Sequence, residues 1–241
     1  MVGVFERAFE MGSTYRAEPS ATTRHMTEYI TIDAEMGFVT FQELLTTVGG
    51  LLQAVSKDIW AKYETQLKPC NAQPIALPEE IPQLALEEIH ELYSNANNTD
   101  TTQEKDLIPD EERWIADYAR KNHGSDLVYA TDFPAEAGKF YHKFKDEEGT
   151  VAWADLLFRG LEIATVPLRE NNYEKMVQQM ERAGLDVSHE GFKYYLQAFK
   201  YGLPTHGGCG LGVDRVVQKT IGLANVKEAT LFPRDINRLN P

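Results

Sequence analysis

The sequence predicts an α+β fold in which an antiparallel β-sheet is flanked by helices. Alternating apolar and polar residues indicate strands in two groups, at residues 4–38 and 127–166. Helical patterns separate the two groups at 41–122 and follow the second group from residue 171 onward. Strands, then helices, then strands again favour an antiparallel sheet over a doubly wound parallel sheet.

The first strand pair is predicted at residues 4–16 and 28–38, joined by a loop at 18–27. Even spacing along the second strand puts an aromatic ring and two carboxylates on one face, those of Tyr29, Asp33 and Glu35. Such a face makes a poor core, so we interpret it as a candidate pocket floor. The alternative is a solvated sheet face.

A long amphipathic helix is predicted at 41–66. The spacing of Thr40 and Glu43 fits a capping box, and apolar residues then recur at every third or fourth position. We assign this apolar stripe to the sheet face, although it also fits a partner interface. The next predicted segments are a proline-rich linker at 69–82, a short helix at 82–93, a mobile polar surface loop at 95–110 and a helix at 110–122.

Strand patterns dominate again after residue 126. The predicted strands lie at 127–131, 139–144, 151–158 and 161–166. Helices are predicted at 171–183 and 190–200, and the glycine-rich segment 207–212 leads into an apolar helix at 213–221.

Composition limits the possible functions. The 241 residues suit one large domain or two small ones, and no run of about 18 apolar residues indicates a membrane span. With 24 basic and 37 acidic residues, the formal charge of −13 repels nucleic acid, so contact with RNA would have to be local. Cys70 and Cys209 lack metal or disulfide spacing and are interpreted as ordinary thiols. A cytoplasmic protein is expected.

Arg16 and Arg215 are the candidate phosphate-binding residues. The sequence contains no P-loop and no strand-linked Gly-x-Gly-x-x-Gly, so phosphate would have to be bound by side chains. A guanidinium group stays charged and offers a planar fork of donors to phosphate oxygens. Two arginines in strand-to-turn or strand-to-helix settings suggest a nucleotide clamp, whereas either arginine alone also fits a surface ion pair.

Four blocks of sequence resemble one enzyme family. Tyr-Arg-Ala-Glu at 15–18 and Thr-Thr-Arg-His-Met-Thr-Glu-Tyr-Ile-Thr-Ile-Asp-Ala-Glu-Met-Gly-Phe at 22–38 are similar to motif 2 of the class II aminoacyl-tRNA synthetases. His-Gly-Gly-Cys-Gly-Leu-Gly-Val-Asp-Arg at 206–215, with the final Leu-Phe-Pro-Arg-Asp-Ile-Asn-Arg-Leu-Asn-Pro, resembles motif 3 and the terminal segment of the archaeal-type aspartyl and asparaginyl subgroup. Phe-Pro-Ala-Glu-Ala-Gly-Lys-Phe-Tyr at 133–141 and Asp-Leu-Leu-Phe-Arg-Gly-Leu-Glu-Ile at 155–163 resemble internal segments of the same subgroup.

The resemblance implies an ATP site. Arg16 and Arg215 would be the catalytic pair that flanks the nucleotide, and Tyr29 would stack on the adenine. Arg24 and His25 would reach toward the outer phosphates. The implied ATP-binding residues are Arg16, Ala17, Glu18, Arg24, His25, Met26, Tyr29, Glu162, Gly212, Val213, Asp214 and Arg215.

The resemblance also implies a magnesium site and an aspartate site. Glu162 and Thr165 would hold Mg²⁺, which prefers oxygen ligands. Arg169 would pair with the side-chain carboxylate of L-aspartate, and Asp33 would lie near its amino group. The implied aspartate-binding residues are Arg16, Asp33, Thr165 and Arg169.

The activity implied is that of an aspartate–tRNA ligase. Such an enzyme uses ATP and Mg²⁺ to form aspartyl-adenylate and then transfers aspartate to tRNA-Asp, possibly also to tRNA-Asn. A homodimer is expected for the full-length enzyme, with no membrane or DNA partner. Asparagine is the alternative substrate, but Arg169 favours a carboxylate, and the asparaginyl enzymes usually carry Glu where Asp33 stands. A synthetase-like protein that binds ATP without aminoacylating tRNA is a further alternative.

The chain departs from the family pattern in two respects. Val166, Pro167 and Leu168 stand where the subgroup usually has Gly-Gly-Gln, and their bulk would fill space that glycines leave for substrate. Residues 1–241 resemble a catalytic domain alone, with motif 2 at about 8–38 and motif 3 at about 206–234. An anticodon-binding domain is not expected in this chain, which resembles the C-terminal part of a longer synthetase.

Overall fold

The computed structural model describes residues 1–19, 21–70, 72–145 and 149–240. Ser20 of the predicted loop, Asn71 of the predicted linker and Pro241 at the end of the terminal segment lie outside the described residues. The strands are β1 (Arg7–Tyr15), β2 (Glu28–Gly37), β3 (Gln83–Ala85), β4 (Leu127–Thr131), β5 (Trp153–Phe158), β6 (Glu162–Arg169) and β7 (His206–Gly212). The α-helices are α1 (Val2–Phe5), α2 (Phe41–Leu67), α3 (Leu86–Asn97), α4 (Pro109–His123), α5 (Tyr173–Arg182), α6 (Lys193–Lys200) and α7 (Val213–Ile221).

All these strands form a single sheet in the order β1-β2-β7-β6-β5-β4-β3. Neighbouring strands run antiparallel, except that β3 runs parallel to β4. The predicted α+β fold with an antiparallel sheet flanked by helices is therefore confirmed.

Helices cover the two faces of the sheet unequally. On one face, α2 and Val216 of α7 pack against side chains that alternate along the strands, including Leu127 and Tyr129 of β4. On the other face, α3 and α4 pack against the intervening residues Val128 and Ala130. This second face is covered over β3 to β5, and a cavity opens on it over β2, β7 and β6.

Helix α2 confirms the predicted long helix and the assignment of its apolar stripe to the sheet. The backbone N–H of Thr40 donates to Glu43 Oε2 at 2.8 Å and the Thr40 hydroxyl accepts from the Glu43 N–H, which is the expected capping box. Leu44, Leu45 and Val48 are buried in the core.

The predicted strand at 139–144 is wrong. The described residues there form turns instead, in which Gly138 N–H donates to Ala135 O and His142 N–H donates to Lys139 O. Only isolated bridges join this segment to the sheet. Its apolar pattern arises because Phe140 and Tyr141 pack against α5 and α6. Together these side chains form a small hydrophobic cluster that is separate from the main core.

The predicted helix at 82–93 is wrong in its bounds, because a strand precedes it. Gln83–Ala85 pairs with β4 before α3 begins at Leu86. The loop predicted at 95–110 is also shorter and better anchored than expected, since α3 continues to Asn97 and Thr101 is buried with its hydroxyl donating to Glu111 Oε1.

The glycine-rich segment before α7 is a strand in the middle of the sheet. β7 pairs with β2 on one side and β6 on the other. Strand β6 likewise extends to Arg169, past the predicted end at 166. Among the described residues, no helix is long and apolar enough to cross a membrane.

Candidate active site

A cavity of about 350 Å³ lies over β2, β7 and β6, beside the hairpin loop that joins β1 to β2. The start of α7 closes another side. Its lining residues are Thr14, Arg16, Glu18, Arg24, His25, Met26, Tyr29, Thr31, Asp33, Glu162, Ile163, Thr165, Gly210, Gly212, Asp214, Arg215 and Val226. The cavity therefore combines cationic, anionic and hydroxyl side chains.

Alternate glycines on β7 leave room for the carboxylates of β2, and one of them, Gly210, lines the cavity. Gly208 and Gly210 face the same side of the sheet as the carboxylates of β2. A Cβ atom on Gly208 would lie 2.5 Å from Cδ of Glu35, and one on Gly210 would lie 3.3 Å from Asp33 Oδ1. Side chains at these positions would displace the acidic residues, so the glycines clear the floor of the site.

The two candidate arginines both line the cavity, but their surroundings differ. Arg16 is exposed, and its Nε lies 4.0 Å from Glu18 Oε2. Arg215 is largely buried, and its Nη1 donates to the Glu162 carbonyl oxygen at 2.7 Å. Arg215 is therefore held in place by β6, whereas the side chain of Arg16 is accessible to a ligand.

The start of α7 is tied to the second strand. The backbone N–H of Ile30 donates to Asp214 Oδ2 at 2.8 Å, and Asp214 is buried. This contact fixes the helix that carries Arg215 against β2. Asp214 thus supports the site through the main chain of β2.

His25 lies in the cavity among arginines. Burial lowers the pKa of His25, the nearby Glu18 raises it, and the three arginines Arg16, Arg24 and Arg215 lower it further. The net pKa is below the ordinary value, which favours the neutral ring. Its Nδ1 lies 2.6 Å from the Thr22 hydroxyl.

Oxygen ligands cluster where β6 meets β5. The Thr165 hydroxyl donates to Glu162 Oε1 at 3.1 Å. Asp155 lies opposite Thr165 on β5, and Trp153 Nε1 donates to Asp155 Oδ1 at 2.8 Å. Burial, followed by the neighbouring Glu162 carboxylate, raises the pKa of Asp155 well above its usual range.

This donor set fits a magnesium ion. One partly exposed carboxylate, one hydroxyl and a neighbouring buried carboxyl group offer only oxygen atoms, which Mg²⁺ prefers. In the described part of the chain, no group of three or more His, Cys, Asp or Glu side chains forms a metal cage. Additional ligands from a nucleotide phosphate would complete such a site.

Arg169 faces a second, larger cavity next to the first. Its Nη2 donates to Glu35 Oε1 at 2.7 Å, and its guanidinium lies 5.0 Å from the ring centroid of Tyr141. Arg169 and Glu35 line this cavity of about 750 Å³ together with aromatic side chains such as Phe140 and Tyr195. An arginine suited to a carboxylate is therefore already paired with one.

Comparison with known proteins identifies the family. A family model described as tRNA synthetases class II (D, K and N) matches residues 1–236. The chain belongs to this family. It is 37% identical over 242 residues to the aspartate–tRNA(Asp/Asn) ligase of Thermus thermophilus, a match that covers 100% of this chain and 56% of that protein.

Solved structures of the same family are similar throughout this chain. The aspartyl tRNA synthetase from Entamoeba histolytica has a TM-score of 0.91 at 28% identity, covering 100% of this chain and 50% of that one. The asparaginyl-tRNA synthetase from the same organism, in complex with asparaginyl-adenylate, has a TM-score of 0.89 at 27% identity, covering 100% and 55%. The chain spans about half the length of the synthetases it matches.

Most of the residues assigned by resemblance to class II synthetases meet in the first cavity. Twelve different positions were implied around ATP, and ten of them line it, whereas Ala17 and Val213 do not. Asp33 and Thr165 also line it, but Arg169 belongs to the neighbouring cavity. Their roles in binding stay predictions.

The departure from the family pattern at 166–168 lies mostly outside the site. Val166 and Leu168 are buried in the core on the α2 side of the sheet. Strand alternation therefore leaves only Pro167 on the face shared by Thr165 and Arg169. Of these three residues, Val166 and Leu168 therefore take up no space in the site.

Three acidic residues near the site were missed by sequence reasoning. Asp155 is a carboxylate within an otherwise apolar strand, a signal that could have identified it. Glu112 on α4 accepts a hydrogen bond from Arg24 Nη2 at 2.8 Å. Asp106 is exposed, yet the protein atoms around its carboxyl group and then the charge of Glu162 raise the pKa of Asp106. Neither Glu112 nor Asp106 carries a distinguishing sequence signal.

Proposed function

We propose that this chain is the catalytic part of an aspartate–tRNA ligase. The observation that carries the proposal is a single cavity lined by Arg16, Arg215, Glu162 and Thr165 in a chain of the class II synthetase family. The similarity to an aspartate–tRNA(Asp/Asn) ligase over the whole of this chain supports the same conclusion. ATP and L-aspartate would be the substrates of the first step.

In that step, the α-carboxylate of aspartate attacks the α-phosphorus of ATP. A P–O bond forms to the carboxylate, the bond to the pyrophosphate leaving group breaks, and aspartyl-adenylate remains. Arg16 and Arg215 would bind the phosphate oxygens, offsetting the repulsion between the two anions and the charge developing at phosphorus. Arg215 is preorganised for this role by its hydrogen bond to the Glu162 carbonyl oxygen.

Glu162 and Thr165 would hold a magnesium ion, with Asp155 beside them. When bound, the ion would neutralise phosphate charge. The hydrogen bond from Thr165 orients the Glu162 carboxylate, because it engages one of its two oxygens. Tyr29 offers an aromatic face in the same cavity for the adenine.

Arg169 would bind the side-chain carboxylate of aspartate. This requires Arg169 to share its guanidinium between Glu35 and the substrate, which is feasible because the group has five donors. Asp33 would accept from the substrate amino group. Asparagine is the competing substrate, since an asparaginyl-tRNA synthetase is also similar in structure. Its neutral amide would form weaker hydrogen bonds with the Arg169 guanidinium than the charged carboxylate of aspartate would.

The second step would transfer aspartate to the 3′ end of tRNA-Asp, with tRNA-Asn as a further candidate acceptor. Because the chain carries a net charge of −13, it would bind the RNA through a local patch. The homodimer expected for the full-length enzyme and the cytoplasmic location stay predictions. The placement of motif 2 at about 8–38 and motif 3 at about 206–234, within a catalytic domain at residues 1–241, also stays a prediction.

The test is ATP–pyrophosphate exchange measured with L-aspartate, with L-asparagine and with no amino acid, in the presence of Mg²⁺. Aspartate-dependent exchange that is lost in Arg215→Ala supports the proposal. Exchange that depends on L-asparagine instead would show that asparagine, and not aspartate, is the substrate. ATP binding without any exchange would favour a synthetase-like protein that does not activate amino acids.

A further inference from the structure

Arg24 connects the hairpin loop, residues 16–27, to a helix far away in the sequence. Its Nη2 donates to Glu112 Oε1 at 2.8 Å, a contact between positions 88 apart. The Glu112 side chain is 8% exposed and that of Arg24 is 21% exposed, so water screens this pair less than a surface ion pair. The contact therefore joins a loop that lines the nucleotide cavity to α4.

Helix α4 is a rigid support for this contact. Ile115 and Ala119 of α4 are fully buried against the sheet. The β5–β6 turn also packs closely on the helix, because a Cβ atom on Gly160 would lie 3.0 Å from Arg113 Cα. Glu112 is thus fixed relative to the strand that begins with Glu162.

Two main-chain hydrogen bonds also attach the hairpin loop to the C-terminal segment. Val226 N–H donates to the Thr23 carbonyl oxygen at 2.9 Å, and Thr27 N–H donates to the Arg234 carbonyl oxygen at 2.9 Å. These main-chain contacts hold the loop from one side. The contact between Arg24 and Glu112 holds it from another element, through side chains.

Glu112 is costly as a purely structural residue. Burial raises its pKa, although the hydrogen bond and charge of Arg24 lower it, and Arg24 Nε has no hydrogen-bond partner among the described residues. A buried ion pair with an unpartnered atom adds little stability compared with apolar side chains of similar size. The position of Glu112 is better explained by its hydrogen bond to Arg24, which orients the Arg24 side chain.

We propose that Glu112 is a positioning residue for the nucleotide site: through Arg24 it fixes the hairpin loop so that His25 and Glu18 stay in the cavity. The proposal rests on the proposed function in one respect, that the cavity binds ATP. Without Glu112 the Arg24 side chain turns to solvent and the loop moves, so that part of the binding free energy of ATP is spent on reordering it.

The test compares Glu112→Gln, Arg24→Gln and the double variant with the unsubstituted chain. Asp110→Asn is the matched control, because Asp110 lies on the same helix, is exposed and pairs with Arg113 at the surface. The readouts are the Kd of Mg·ATP by calorimetry, hydrogen exchange of peptides covering residues 17–26, and the thermal unfolding midpoint.

We expect Glu112→Gln to weaken ATP binding about tenfold and to speed exchange of the loop amides. Arg24→Gln also removes a side chain that lines the cavity, so it weakens binding at least as much, and the double variant binds ATP no worse than Arg24→Gln. Asp110→Asn leaves all three readouts unchanged. The proposal is overturned if Glu112→Gln lowers only the unfolding midpoint, or if the effects of the single variants on ATP binding add. If the unsubstituted chain does not bind ATP, the proposed function fails, and loop exchange alone then decides whether Glu112 holds the loop.

Discussion

Replacing Gly208 by alanine tests whether β7 is packed as tightly against β2 as the structure indicates. The added Cβ atom would lie 2.1 Å from the Ala34 carbonyl oxygen and 2.5 Å from Cδ of Glu35, whereas ordinary contacts begin at 3.4 Å. The Glu35 side chain can turn away, but the carbonyl oxygen belongs to the main chain of the neighbouring strand. The two strands must therefore separate by about 1 Å.

The cost follows from this separation. Overpacking of a close-packed interior costs about 1–3 kcal/mol, and weakening one backbone hydrogen bond adds about 1 kcal/mol. A loss of about 2–4 kcal/mol lowers the thermal midpoint of a protein of this size by about 4–16 °C. The same displacement moves Glu35 away from Arg169 Nη2.

The measurement is urea and thermal unfolding of Gly208→Ala beside the control Gly12→Ala. Gly12 lies on β1, and a Cβ atom there meets no atom within 4 Å. We expect the control to stay within about 1 kcal/mol of the unsubstituted chain. Equal stability of the two variants would refute the reasoning, because it would mean that β2 and β7 are farther apart than described.

Three further predictions concern other residues. Burial, then the charges of Arg169 and Lys139, lower the pKa of His142 from 6.5 to about 4. Because this pKa is lowered in the folded state, the folded chain loses stability as the pH falls from about 6.5 toward 4. Unfolding in urea at about pH 7 and about pH 4.5 should show a loss that is about 2 kcal/mol larger in the unsubstituted chain than in His142→Gln. Burial raises the pKa of the Cys209 thiol to about 11, so iodoacetamide should modify the exposed Cys70 in the folded chain and reach Cys209 only after unfolding, as followed by mass spectrometry. Arg215→Lys should weaken ATP binding about tenfold and Arg215→Ala about 100-fold, because lysine keeps the charge but not the fork of donors; equal Kd values for lysine and arginine would contradict this role.

The sequence predicted an element correctly where the residues of that element alone determine its structure. Helix α2 has a capping box and an apolar stripe, and both are confirmed. Strand β3 has three residues and exists through pairing with β4, so nothing within it distinguishes it from the helix that follows. The alternation at 139–144 resembles a strand, but it arises from Phe140 and Tyr141 packing on α5 and α6.

For the candidate site, too, residues in local motifs were predicted from the sequence, whereas contacts between distant residues were not. Arg16 and Arg215 lie in recognisable motifs, and the structure brings both to one cavity. The partners of Arg24 and Arg169 could not be predicted, because Glu112 lies 88 residues from Arg24, and Glu35 lies 134 residues from Arg169. Such contacts depend on how the sheet is assembled, which no local pattern contains.

The most direct test of the central claim is binding of a non-hydrolysable aspartyl-adenylate analogue to this chain, measured by calorimetry against the asparaginyl analogue. Binding does not require turnover, so it examines the cavity itself. We predict that the aspartyl analogue binds at least about 100-fold more tightly, and that Arg169→Gln removes this preference. Equal affinity for the two analogues, or no binding of either, would contradict it.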